Sequence, residues 1–265
     1  MGAKVVTVTS GKGGVGKTTT VANLGVALAR LDKKVVLIDT DIGLRNLDVV
    51  MGLENRIVYD LVDVVEGRCK LRQAMIKHKR FSDLYLIPAA QTRDKTAVSP
   101  SDMVELVNKL RDDFDFILID SPAGIERGFR NAVASANEVI IVTNPEVSAV
   151  RDADRVIGLL EADSKIPTQL VINRVKPEMI RKGDMLSADD ITDILAIRLI
   201  GIVPEDELVL PASNSGIPVT LNDSSRAGTA FRNIARRLTG EKVEFMRLAS
   251  SGNVLQRLVQ RFVGR

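Results

Sequence analysis

The chain has 265 residues, of which 45% are hydrophobic and 27% are charged, and these proportions are typical of a folded globular protein. Its net charge of +3 is too small to indicate nucleic-acid binding, and its few aromatic residues and lack of Trp argue against a surface that stacks single-stranded bases. The single cysteine, Cys69, excludes an intrachain disulfide and a Cys-x-x-Cys metal site, and no run of 18 uncharged apolar residues is present to span a bilayer.

A glycine-rich loop follows the first predicted strand. Residues 4–10 predict a strand and residues 17–31 a helix, and between them Gly11–Thr18 fits the phosphate-loop pattern Gly-x4-Gly-Lys-Thr. Glycines let the backbone N–H groups form a nest for phosphate oxygens, and the helix adds the positive end of its dipole. Lys17 would then reach the β- and γ-phosphates of ATP, and the Thr18 hydroxyl would ligate Mg²⁺. The nucleotide-binding residues predicted in this loop are Gly11, Lys12, Gly13, Gly14, Val15, Gly16, Lys17, Thr18 and Thr19.

The rest of the chain alternates predicted strands and helices. The apolar runs predict strands over 34–39, 84–88, 116–120, 138–144, 169–175 and 199–203. Periodicity and capping residues predict helices over 57–66, 70–77, 101–111, 147–161, 187–195, 205–212 and 224–239. This alternation predicts an α/β fold, a doubly wound and mainly parallel sheet flanked by helices. We expect one phosphate-loop domain over residues 1–250 and a separate tail over 251–265.

Carboxylates stand at the ends of two predicted strands, the edge of such a sheet where ligands gather. Asp120 follows four apolar residues and fits the Walker B role of holding Mg²⁺ through a bound water, although a helix N-cap is an alternative. Asp39 could contribute to the same metal site or be structural. Asp41, two residues further on, is placed to orient an attacking water.

The form Lys-Gly-Gly-x-Gly-Lys-Thr-Thr, which begins at Lys12, resembles the ParA/MinD family of deviant Walker A ATPases. The resemblance implies that Lys12 crosses a dimer interface and neutralises charge on the partner's phosphates, as an arginine finger does. A solvated lysine is the alternative. The sequence Asp39-Thr40-Asp41 matches the family's switch I motif, which implies that Asp41 activates the water and that Asn46 helps to place it.

The same resemblance implies functions for two further loops. Pro122-Ala123-Gly124 looks like switch II, where the glycine lets the loop respond to the γ-phosphate. Asn173 would read the adenine together with the turn from Pro204 to Asp206. A strand-end asparagine that caps a helix is the alternative for Asn173.

Nearly the whole chain resembles the division-site-placement branch of this family. The segments that carry the resemblance are Gly11–Thr20, Asp39–Asp48, Phe116–Gly124, Glu138–Arg155 and the chain's end. The resemblance implies an ATP-dependent homodimer that binds a MinC-like division inhibitor and a MinE-like activator, on the cytoplasmic face of the inner membrane or the equivalent plastid membrane. Asp152 is the position implied for partner contact, and without the resemblance it is only a carboxylate near a helix start. No specific nucleic acid is expected.

The last residues predict a basic amphipathic helix. Between Phe245 and Arg265 the chain has four arginines and no acid, a pattern typical of a membrane-surface segment. Docking of this helix on the core is the alternative. One short helix should bind an anionic leaflet only reversibly, and two tails on one dimer should gain an avidity of ~10²–10⁴. The residues expected to contact lipid are Val254, Leu255, Leu258, Val259 and Phe262.

Three other functions share parts of this pattern. A ParA-type partition ATPase would need a basic DNA-binding patch and no apolar-faced terminal helix, and a flagellar-number ATPase is a second alternative within the family. A nucleotide-gated scaffold that does not hydrolyse ATP is a third, and Asp41 and Asp120 argue against it. An iron–sulfur carrier is excluded by the cysteine count.

Overall fold

One mixed sheet of eight strands, with helices on both faces, forms the centre of the computed structural model, which describes residues 2–94, 96–163 and 166–247. The strand order is β3-β4-β2-β5-β1-β6-β7-β8, and every neighbouring pair is parallel except β3 with β4. The strands are β1 (Lys4–Thr9), β2 (Val35–Asp39), β3 (Ile76–Lys77), β4 (Leu84–Ile87), β5 (Phe116–Asp120), β6 (Glu138–Thr143), β7 (Thr168–Val175) and β8 (Arg198–Pro204). The predicted α/β class is confirmed.

The helices connect these strands in sequence. They are α1 (Lys17–Ala29), α2 (Leu47–Val50), α3 (Leu61–Val65), α4 (Leu71–Ala74), α5 (Pro100–Asn108), α6 (Arg127–Val133), α7 (Val147–Asp163), α8 (Pro177–Lys182), α9 (Ala188–Leu195), α10 (Val209–Asn214) and α11 (Arg226–Leu238), with 3-10 turns at Glu54–Arg56 and Val219–Leu221. Serine caps begin three of the predicted helices. Ser99 and Ser187 each form a capping box with an aspartate three residues on, and Ser225 caps α11 by accepting from the Gly228 N–H.

The unbroken apolar runs of the central strands follow from burial on both faces of the sheet. Every residue of β2, β5 and β6 is buried. Alternate residues enter opposite cores: Leu37 packs with α1 and α11, whereas Val36 packs with α5. Gly25 of α1 lies so close to β2 that a Cβ there would come within 2.7 Å of the Leu37 side chain. This close contact fixes α1, and therefore the loop before it, on the sheet.

Several predicted boundaries were wrong for local reasons. The helix expected over 57–66 starts only at Leu61, because the Asp60 carboxylate accepts from the Asp63 N–H and caps it there. The second half of the stretch 70–77 is not helical but forms β3, an edge strand too short to show a period. The helix expected at 205–212 starts at Val209, since Asp206 accepts from the Leu208 N–H in a preceding turn. Four short elements, α2, α6, α8 and β3, were not predicted.

The parallel sheet brings the loops after β1, β2, β5, β7 and β8 to one edge, which is where the predicted site residues meet. The tail over 251–265, with its proposed lipid contacts, lies outside the described residues. Within the described ranges, no helix is both long enough and apolar enough to cross a bilayer.

Candidate functional site

The loop between β1 and α1 has the backbone of an anion-binding nest. Gly14 and Gly16 have positive φ values of 77° and 101°, which glycine adopts without strain. Gly16 is the N-cap of α1 and provides no side-chain cap, so the first N–H groups of the helix remain for an anion. The loop is therefore shaped to bind phosphate as the sequence predicts.

The loop is held on two sides by neighbouring elements. A Cβ at Gly11 would overlap the backbone carbonyl of Asp152, so the start of the loop lies directly against α7. On the other side, the Asn173 Nδ2 of β7 donates to the Val15 carbonyl at 2.8 Å. These two contacts place the predicted partner residue and the predicted adenine residue at the phosphate loop itself.

Lys17 is a buried cation at the base of the loop. Its side chain donates to Ser10 Oγ at 3.0 Å, and the Ser10 hydroxyl donates to the carbonyl of Lys12 at 2.7 Å. Burial lowers the pKa of Lys17, although the charges of Asp120 and Asp41 act in the opposite direction. No role for Ser10 was predicted, because the motif is written from the glycine that follows it.

Asp120 provides an oxygen ligand that lacks a partner. It is fully buried, and burial followed by the neighbouring Asp39 charge raises its pKa well above its usual range. The Thr18 hydroxyl donates to this carboxylate, yet Oδ1 has no hydrogen-bond partner among the described residues. A hydroxyl and a carboxylate are the hard oxygen ligands that Mg²⁺ prefers, so these residues fit the ion.

Mg²⁺ commonly keeps several waters and takes its other ligands from substrate phosphates. Thr18 and Asp120 therefore match a metal site that the nucleotide completes. In the described part of the chain, no group of three or more His, Cys, Asp or Glu is arranged to hold a metal ion.

Asp39 closes the loop that carries Asp41 and Asn46. Its two carboxylate oxygens accept from the Asp41 N–H at 2.9 Å and the Leu47 N–H at 3.2 Å. Burial raises the pKa of Asp39 to about 6 despite these hydrogen bonds. Asp39 thus anchors both ends of the switch I loop, which matches the structural alternative for this residue.

The two residues predicted to handle water lie on this loop, and Asp41 lies near the phosphate nest. The charge of Asp41 acts on Lys17, Asp39 and Asp120, so these groups lie close together. Asn46 is exposed at the N-cap of α2 and makes no side-chain cap hydrogen bond there.

Lys12 lies at the exposed rim of the loop rather than in its base. Its side chain is 46% exposed, with Nζ 3.7 Å from Glu146 Oε2 and 3.4 Å from Ser148 Oγ. Such a long, solvated ion pair contributes little stability. Lys12 can therefore exchange these contacts for a stronger charge. Its contacts with Glu146 and Ser148 were not predicted.

A cavity of about 370 Å³ adjoins the loop, and this volume is within the usual range of small-ligand pockets. Gly16, Thr19, Asn173, Pro204 and Asp206 are among its lining residues. Three of these are the predicted adenine contacts.

Asp206 also has a structural role that was not predicted. Its carboxylate accepts from the Ser225 hydroxyl at 2.7 Å and from the Ala227 N–H at 3.1 Å, at the start of α11. Burial alone would raise the pKa of Asp206, but these hydrogen bonds and that from the Leu208 N–H hold it below its usual range.

The site belongs to a phosphate-loop ATPase of the deviant Walker A type. It has a phosphate nest at a helix start, one buried lysine, a second lysine at the rim, and two carboxylates at strand ends. The family model of the AAA domain matches residues 3–170 of the chain. The septum site-determining protein MinD of Bacillus subtilis (strain 168) is 56% identical over 266 residues, which cover 100% of this chain and 99% of that protein.

Solved structures agree with this similarity. The MinC:MinD cell division protein complex of Aquifex aeolicus matches with a TM-score of 0.87 at 49% identity, covering 93% of this chain and 100% of that one. MinD of Pyrococcus horikoshii OT3, complexed with Mg-ADP, matches with a TM-score of 0.80 at 32% identity over 89% and 96% of the two chains. The chain belongs to the MinD family of septum site-determining ATPases, and it is an ATPase whose cofactors are ATP and Mg²⁺.

Proposed function

We propose that the chain is an ATP-driven switch that dimerises with ATP, attaches to the membrane through its tail and recruits a division inhibitor to place the septum. The observation that carries this proposal is the position of Lys12. A lysine at the exposed rim, beside a loop that already has Lys17 at its base, suits a nucleotide in a second copy of the chain.

Within one subunit, each site residue has a distinct task in hydrolysis. Lys17 and the loop N–H groups bind the phosphates, while Thr18 and Asp120 would hold Mg²⁺, the latter through a bound water. Bound Mg²⁺ supplies neutralisation of the charge that develops on the phosphate oxygens. Asp41 orients and deprotonates the attacking water, and Asn46 fixes its position.

Dimerisation adds the last catalytic charge. The γ-phosphate attracts Lys12 of the second copy away from its weak contacts with Glu146 and Ser148. Because ADP lacks that phosphate, hydrolysis removes the attraction and the two copies separate.

The proposed partners bind at the start of α7. The Aquifex aeolicus relative is solved as a complex with MinC, and Asp152 is our candidate for contact with a MinC-like inhibitor or a MinE-like activator. Val147 is 63% exposed beside a groove of about 720 Å³ that Met179 and Met185 also line. Flexible methionines suit the apolar face of a partner helix.

The membrane contact would come from residues 251–265. The five residues predicted to contact lipid and the arginines of this segment favour an anionic leaflet, where each arginine contributes ~1 kcal/mol. One tail binds reversibly, and a dimer with two tails stays attached, which places the ATP form at the cytoplasmic face of the inner membrane or the equivalent plastid membrane.

Sedimentation with anionic liposomes tests this proposal. The full chain should co-sediment with ATP and not with ADP, and a truncation after Gly252 should stay in the supernatant with either nucleotide. Equal sedimentation with both nucleotides would overturn the switch. Retention on DNA without lipid binding would instead favour a ParA-type partition function.

A further inference from the structure

An ion pair is enclosed within the switch I loop. Asp48, in the first turn of α2, is only 1% exposed, and its carboxylate lies 3.1 Å from Nε of Arg45. The Arg45 side chain is itself 18% exposed. Among the described residues this is the one ion pair that either side chain makes. Neither the Arg45 Nε nor either Asp48 carboxylate oxygen makes a well-aligned hydrogen bond among the described residues, so the attraction of the two charges is what compensates their burial.

The backbone at Arg45 is in an unfavourable conformation. Its φ is +35°, in the left-handed region that non-glycine residues rarely adopt. The Arg45 and Leu44 N–H groups both donate to the carbonyl of Asp41 at 3.1 Å, which makes this bend part of the turn that carries Asp41. A strained residue persists only where its surroundings determine its conformation.

The ion pair also spans the residue that follows. Asn46 lies between Arg45 and Asp48 in sequence, and its own side chain makes no cap hydrogen bond to α2. Asp39 holds Leu47 through its backbone N–H, so the loop is fixed on both sides of Asn46.

We propose that the Arg45–Asp48 ion pair is a positioning device, which holds the strained turn so that Asp41 and Asn46 face the attacking water. Neither residue touches the nucleotide in this role. The inference rests on the proposed tasks of Asp41 and Asn46.

A purely structural pair would be replaceable by apolar side chains. Exchanging a buried ion pair for hydrophobic residues of similar volume is often neutral for stability, whereas removing one partner leaves a buried charge unpaired. Apolar side chains, however, lack the charge attraction that links Arg45 to Asp48 across the bend. Replacing both residues with apolar ones therefore distinguishes an effect on stability from an effect on the position of Asp41 and Asn46.

Steady-state ATP hydrolysis by Asp48→Asn and by the double variant Arg45→Met/Asp48→Leu tests the proposal. We expect kcat to fall on the order of 10- to 100-fold in both, the loss that a misplacement of about 1 Å produces, with ATP affinity within about threefold of the parent chain. The double variant should recover the thermal stability that Asp48→Asn loses.

Glu138→Gln is the matched control, since Glu138 is a buried carboxylate paired with Lys4 at 2.5 Å at the opposite end of the sheet. It should lose stability and keep its kcat. Parent-like kcat in the double variant would overturn the positioning role, as would a loss confined to KM. Full turnover by Asp41→Ala would instead remove the proposed chemistry on which the inference rests.

Discussion

Asp39 and Asp120 are register partners on the neighbouring parallel strands β2 and β5, and both carboxylates are buried at the edge that carries the phosphate loop. Burial is the main reason that the pKa of each is raised, and the charge of Asp39 adds to the effect on Asp120. Two adjacent carboxylates in this environment favour a proton or a cation between them and the nucleotide. The burial of these two carboxylates therefore lowers the stability of the nucleotide-free fold and at the same time favours binding of Mg²⁺.

The first prediction concerns pH and the free energy of unfolding without nucleotide. The folded pKa of Asp39, about 6, lies above its ordinary value of 3.8, so the folded state binds the proton more tightly than the unfolded state. Its contribution is fully present below pH ~4 and is lost as pH rises through about 6, a change of about 3 kcal/mol. Asp39→Asn should abolish this slope, so the free energies of unfolding of the parent and the variant, each measured in urea, should change differently between pH ~4 and ~7. Identical slopes in the two proteins would contradict the assignment.

The second prediction uses two glycines of the loop as a matched pair. Gly11→Ala should destabilise the chain by about 1–3 kcal/mol and weaken ATP binding, because the new methyl group overlaps the Asp152 backbone. Gly13→Ala places its methyl group 3.8 Å from the Ala123 Cβ, an ordinary contact, so the monomer should unfold at nearly the parent temperature. Calorimetry of both variants checks this, and equal losses would show that the α7 contact is unimportant.

The third prediction concerns the water-activating carboxylate. Asp41→Ala should bind ATP with nearly unchanged affinity and lose turnover by ~10²–10⁴, because a general base contributes about that factor. Equilibrium binding of a fluorescent ATP analogue and phosphate release measure the two quantities separately. Rapid hydrolysis by this variant would take Asp41 out of the catalytic set.

The fourth prediction distinguishes action of Lys12 within one subunit from action across the interface. Lys12→Ala should bind ATP and lose turnover by ~10³–10⁵, the range for an arginine finger. Mixing it with Asp41→Ala should restore activity, because in a mixed dimer the Lys12→Ala subunit keeps its own Asp41 and receives the intact lysine. No recovery over the two separate variants would place Lys12 in its own subunit's site.

Much of the site could be predicted because its residues occupy fixed places in a short motif or at strand ends. Gly11–Thr18, Asp39 and Asp120 meet at one edge of the sheet because all the strands that carry them are parallel. The contacts made across long sequence separations could not be predicted in this way. Asn173 with Val15 and Asp206 with Ser225 depend on how elements pack, and no local pattern encodes them.

The short elements were missed for a related reason. β3 has two residues and exists because it pairs with β4, and α3 begins where the Asp60 cap places it rather than where apolar periodicity starts. Periodicity identifies elements that bury a long face, such as α1 and α11, and it carries little information about elements of seven residues or fewer, such as α6 and α8.

The molar mass of Asp41→Ala in solution, measured with saturating Mg-ATP and with Mg-ADP, tests the central claim most directly. We predict twice the mass of one chain with ATP and the mass of one chain with ADP, and a single chain in both nucleotides for the double variant Lys12→Ala/Asp41→Ala. A single-chain mass for Asp41→Ala with ATP, or a dimer that forms equally well with ADP, would contradict the claim that the third phosphate joins two copies through Lys12.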